Sequence, residues 1–140
     1  MFYGCCSSSI YIGFLEYFNT KYIRNFSNMF FGSQWLGLYA LKNWDVSNGI
    51  DFSCMFGGLG NILYLDEIKN WTVSNGENFF RMFYGCRQLE NIEGLKNWDV
   101  SKGINFKGMF NSCSSLTSLD ALRNWNVSNG YDASYMIFCC

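Results

Sequence analysis

The sequence predicts an α/β fold, a right-handed solenoid of five repeats in which each repeat adds a short helix and a β-strand of a parallel sheet. Three observations predict it. The words Asn-Trp-x-Val-Ser stand at Asn43 to Ser47, Asn70 to Ser74, Asn97 to Ser101 and Asn124 to Ser128, each copy 27 residues after the one before. Inside each copy, Trp and Val alternate with polar residues at the period of a strand. Beyond each copy the apolar residues change to the i, i+3, i+4, i+7 spacing of a helical stripe, as in Phe79, Met82, Phe83 and Cys86.

Indexed on the Met-Phe pair, the repeats begin at Met1, Met29, Met55, Met82 and Met109, with a partial sixth at Met136, so that residues 1–140 read as one array. The first copy follows the same pattern with Phe18 in the Trp place. Counting back from the tryptophan gives three apolar ladders: nine before it Trp35, Ile62, Leu89 and Leu116; six before it Leu38, Leu65, Ile92 and Leu119; three before it Leu41, Ile68, Leu95 and Leu122. Trp35 therefore falls in a leucine slot and reads as core rather than as an exposed binding aromatic.

In each strand, Asp45, Thr72, Asp99 and Asn126 should point outward between the buried Trp and Val. Gly49, Gly76, Gly103 and Gly130 follow, and a glycine there suggests a turn through positive φ. Asn25, Asp51, Asn78, Asn105 and Asp132 precede the apolar stripe and read as helix N-caps, while Gly32, Gly58 and Gly85 stand where such a helix should end. A unit of this size cannot bury a core alone, so the copies should stack with equivalent residues in contact.

Composition bounds the function. The chain is 49% apolar, 20% aromatic and 15% charged, too hydrophobic to stay disordered. A net charge of −1 with scattered Lys and Arg gives no footprint for nucleic acid or an anionic membrane. No stretch reads as a signal peptide, an anchor or a membrane span. The absence of histidine removes Ser-His and Cys-His nucleophile pairs and the commonest metal ligand, and the eleven carboxylates form no pair apart from the repeat pattern. The expectation is a protein that is not an enzyme and has no cofactor.

With Met-Phe-Tyr-Gly-Cys at Met82 to Cys86, Cys-Ser-Ser-Leu-Thr-Ser-Leu-Asp at Cys113 to Asp120 and Asn-Trp-Asp-Val-Ser-Asn at Asn43 to Asn48, the chain resembles the BspA-type leucine-rich surface repeats. It looks closest to the branch associated with mycoplasma lipoproteins. It departs in having Gly where that family has Val after Ser-Asn, and an extra residue between the leucines. The resemblance implies a leucine-rich-repeat solenoid at a cell surface or outside the cell, used for adhesion or partner binding, with no catalytic residues.

A binding face should vary between copies while the core stays fixed. Two residues after each Met stand Tyr3, Phe31, Gly57, Tyr84, Asn111 and Phe138, which differ and are often aromatic; Gly57 apart, these are candidate contacts for an unidentified protein or glycan. The outward column of Asp45, Thr72, Asp99 and Asn126 is a second candidate, for calcium or a polar ligand, against a plain solvated face. Cys5, Cys86, Cys113 and Cys140 share one slot with Ser33 and Leu59, which suits a small buried group. A metal or redox ladder is the distant alternative, because zinc favours paired spacings that a straight ladder lacks. The remaining alternative is a structural spacer. Neither end shows a polar capping segment, so the array reads as a fragment of a longer one, with end-to-end association expected.

Overall fold

The computed structural model describes residues 13–33 and 37–140. Tyr3, Cys5 and Trp35 lie outside them. The described residues form a stack of coils in which each residue meets its counterpart one repeat away. Parallel bridges join Asn25 to Asp51, Asp51 to Asn78, Asn78 to Asn105 and Asn105 to Asp132. Two columns of phenylalanine rings run through the stack: Phe26, Phe52, Phe79 and Phe106, with centroids 5.3, 5.6 and 5.4 Å apart, and Phe30, Phe56, Phe83 and Phe110, at 5.9, 5.6 and 5.5 Å. Ile62, Leu65, Ile68, Leu89, Ile92 and Leu95 are buried beside them, as their place in the ladders requires.

The predicted α/β solenoid with a parallel sheet, and with it the leucine-rich-repeat architecture, is corrected. Among the described residues there is no β-strand and no α-helix. Regular structure is limited to those isolated bridges and to five short 3₁₀ turns: η1 (Gly13–Tyr17), η2 (Leu38–Leu41), η3 (Asp66–Ile68), η4 (Glu93–Leu95) and η5 (Asp120–Leu122).

The helix fails for a backbone reason. Two positions around every described Met, one before it and three after it, hold φ between 51° and 74°: Asn28, Cys54, Arg81, Gly108 and Tyr135, then Gly32, Gly58, Gly85, Ser112 and Cys139. A left-handed residue every fourth place interrupts an α-helix. The chain instead makes successive tight turns, in which the amides of Met82, Tyr84 and Cys86 donate to Phe79, Arg81 and Phe83 O at 3.1 to 3.2 Å. The intervening amides of Phe79, Arg81, Phe83 and Gly85 donate to Asn105, Lys107, Met109 and Asn111 O of the next coil, at 2.8 to 3.0 Å. The same four positions donate forward at every described interface. The apolar spacing looked helical because these turns still bury Phe79, Met82, Phe83 and Cys86 on one side.

The strand fails for a different reason. Trp71 and Val73 are buried and Thr72 exposed, so the alternation holds. However, the Trp71 amide donates to Ile68 O of its own coil at 3.0 Å, and among the described residues no amide from Trp71 to Val73 bridges the gap to a neighbouring coil. Side chains cross the gap in place of amides. The indole N–H groups of Trp44, Trp71, Trp98 and Trp125 donate to Leu15, Leu41, Ile68 and Leu95 O of the preceding coil, at 2.8 to 3.2 Å. Asn48, Asn75 and Asn129 reach back through Nδ2 to Lys21, Ser47 and Ser101 O, at 2.7 to 2.8 Å.

Two local assignments change with them. Asn25, Asp51, Asn78, Asn105 and Asp132 cap turns, each Oδ1 accepting from the amide two residues on at 2.8 to 3.1 Å. Gly49, Gly76, Gly103 and Gly130 are not at positive φ. At Gly103 the reason for glycine is space: a Cβ would overlap Phe106 Cζ and lie 2.8 Å from Cε2 and 2.9 Å from Val100 O.

Candidate ligand groove

The sequence-predicted contacts fall on different parts of the stack. Asp45, Thr72, Asp99 and Asn126 are all exposed, but three of them hold their own turns. Asp45 Oδ1 accepts from the Ser47 amide at 3.0 Å and its hydroxyl at 2.6 Å, Asp99 Oδ1 from the Ser101 amide at 3.0 Å, and Asn126 Oδ1 from the Ser128 amide at 3.1 Å. Thr72 and Asp99 share a shallow cleft of about 230 Å³. No group of three or more His, Cys, Asp or Glu side chains placed to hold a metal ion occurs among the described residues.

These bonds lower the Asp45 and Asp99 carboxyls below the usual range, the serine hydroxyl first and the amide second, and Ser134 does the same for Asp132. A carboxyl depressed in the folded state contributes stability that is complete above its unfolded value, about 3.9, and is lost as pH falls through the folded value. Changing Asp45, Asp99 and Asp132 together to Asn, the residue already at 126, should leave neutral stability little altered. It should also reduce the loss of melting temperature between neutral pH and pH values below about 4.

In the ladder two residues after each Met, the Phe31 ring lies where a Cβ on Gly57 would come within 2.8 Å of it. Tyr84 is half-buried with the Arg81 guanidinium 5.0 Å from its ring centroid, and the same guanidinium is 5.1 Å from that of Phe80. Asn111 accepts from the Ser112 hydroxyl at 2.7 Å. Phe138 is exposed and meets Tyr135 edge-on, with centroids 5.6 Å apart. These side chains line the coil edges rather than a common cavity.

The cysteine ladder is bonded within the stack. The thiols of Cys86, Cys113 and Cys140 donate to Phe56, Phe83 and Phe110 O, at 3.3, 3.2 and 3.0 Å. Burial pushes the Cys86 thiol well up and Cys113 to about 12, which keeps both protonated at neutral pH. Native alkylation with iodoacetamide should modify exposed Cys139 quickly and Cys86 and Cys113 only after unfolding, as peptide mass mapping would show.

A groove of about 420 Å³ brings together residues that the sequence reading did not single out. It lies between two neighbouring ladders on either side of the Gly49, Gly76 and Gly103 column. One wall carries Tyr22, Asn48, Asn75 and Lys102, and the other Arg24, Ile50 and Glu77. That second wall is anchored by backbone bonds: Arg24 O accepts from Ile50 and Asp51 N–H at 2.8 and 3.2 Å, Ile50 O from Glu77 and Asn78 at 2.9 and 3.1 Å, and Glu77 O from Ile104 and Asn105 at 2.8 and 3.2 Å. The missed signal was present in the sequence. The position after the glycine reads Arg24, Ile50, Glu77, Ile104 and Tyr131, which is the copy-to-copy variation on a fixed scaffold that a contact face should show.

Stacked coils with this side-chain ladder define the chain as a tandem-repeat array rather than a globule with one enclosed site. The family model described as Mycoplasma protein of unknown function, DUF285, matches residues 1–118 and again residues 66–140, and the chain belongs to that family. Two overlapping matches are what a sequence built of equivalent repeats produces. No curated protein matches the chain, and no solved structure matches it. No helix among the described residues is long and apolar enough to cross a membrane.

Proposed function

We propose that the chain is a non-enzymatic repeat module, displayed at the cell surface, that binds a protein or a glycan through the groove between Arg24 and Lys102. The observation that carries this reading is the pairing of variable side chains at Arg24, Ile50 and Glu77 with backbone carbonyls of the same residues fixed by inter-coil bonds, since a preorganised surface loses little freedom on binding. Surface display is supported by membership of the mycoplasma family.

Protein and glycan arrays probed with the whole chain test the reading. Bound features should be lost with the double variant Arg24→Ala and Glu77→Ala while its melting temperature is unchanged. Features that persist with the double variant would place binding elsewhere. A second reading, a spacer in a longer surface protein, is favoured by the Asp45, Asp99 and Asn126 column, whose side chains are engaged in their own turns. An array without any bound feature would favour it.

A further inference from the structure

Resting on that reading, we infer that the groove takes a linear, hydroxyl-rich glycan lying along the stack, with one sugar unit against each coil. The groove crosses four coils, marked in turn by Tyr22, Asn48, Asn75 and Lys102. Equivalent rings in the adjoining phenylalanine column stand 5.3 to 5.6 Å apart from coil to coil, a step comparable to the length of one pyranose unit in an extended chain.

The lining chemistry suits hydroxyl groups, which both donate and accept. Among the described residues, Arg24 and Glu77 are exposed and make no side-chain hydrogen bond or ion pair, so one offers a fork of donors and the other a pair of acceptors. Asn48 uses its amide N–H on Lys21 O and keeps its oxygen as an acceptor, while Lys102 Nζ donates to Asn75 Oδ1 at 2.7 Å and retains further N–H groups. Tyr22, 79% exposed at one end, presents a flat ring of the kind on which the C–H face of a sugar packs.

Other extended ligands fit less well. A peptide adding itself as a strand needs free backbone groups, and here the carbonyls of Arg24, Ile50 and Glu77 each already accept two amides. An amphipathic helix needs an apolar trough, and Ile50 is the one aliphatic side chain in the lining.

Calorimetry on the whole chain would use linear oligosaccharides of glucose, galactose and N-acetylglucosamine, from disaccharide to hexasaccharide. For at least one series, affinity should rise with each unit up to the tetrasaccharide and then level off. Arg24→Ala and Glu77→Ala should each weaken binding by roughly tenfold, the loss of one or two hydrogen bonds, without lowering the melting temperature. Lys96→Ala, exposed and outside the groove, should leave affinity unchanged. Absence of binding to every series, or binding that does not depend on length, overturns the glycan. If a protein array then yields a ligand that is lost in the Arg24 and Glu77 variants, the groove stands with a different occupant. Glycan binding indifferent to both variants overturns the groove itself.

Discussion

Replacing Trp98 with Ala lowers the unfolding free energy by about 3–5 kcal/mol, the range for truncating a large core aromatic. The side chain is 4% exposed, stacks on Trp71 with an interplanar angle of 8°, and donates its indole N–H to Ile68 O at 3.2 Å. The variant therefore loses burial, ring contact and an inter-coil bond together, and leaves Ile68 O with the Trp71 amide alone. Trp98→Phe should cost less, because it keeps a ring and loses the donor, the arrangement already present at Phe18. Asp99→Asn, one residue away and exposed, keeps the oxygen that holds its turn and should stay within about 0.5 kcal/mol. Urea melts of the variants check this, and equal losses for Trp98→Ala and Asp99→Asn would contradict it.

Gly94→Ala should cost about 3 kcal/mol, the upper part of the range for overpacking. A Cβ there would overlap Leu65 O, lying 2.5 Å from its carbonyl carbon and 2.9 Å from Asp66 N. Both obstacles are backbone of the preceding coil, so no rotamer change can clear them. The equivalent positions hold Ala40, Glu67 and Ala121, which shows that the turn itself accepts a side chain. The obstruction belongs to the close approach of η3 and η4. A Gly94→Ala protein with the wild-type urea midpoint would mean that the coils separate there freely.

The core ladders were legible because burial depends on side-chain type, and the sequence states side-chain type at every position. Ile68, Leu95, Trp71 and Trp98 stand where counting from the tryptophan places them. The local backbone was less legible. The spacing of Phe79, Met82, Phe83 and Cys86 suits one face of a helix equally well as a run of turns, and the left-handed φ at Arg81 and Gly85 decides between them. Arginine gives little warning of that conformation, whereas Gly108 in the same column does. The strand misled because a period of two reports alternating burial, not amide pairing. The groove escaped attention because its residues lie one and three places outside the Asn-Trp-x-Val-Ser word, where variation looks like noise until the coils are stacked.

The four amides that each coil gives to the next have a mechanical consequence. Under tension a single coil cannot yield a bond at a time: its forward amides, an indole and, where present, a thiol or carboxamide span the same interface and must part together. Coils should therefore leave the stack one after another. Each would release up to about 90 Å of extended chain for a repeat of roughly 27 residues. Contacts run only between neighbours, so the coils left behind stay intact. Such an array lengthens in discrete steps under load and recoils repeat by repeat when the load is removed.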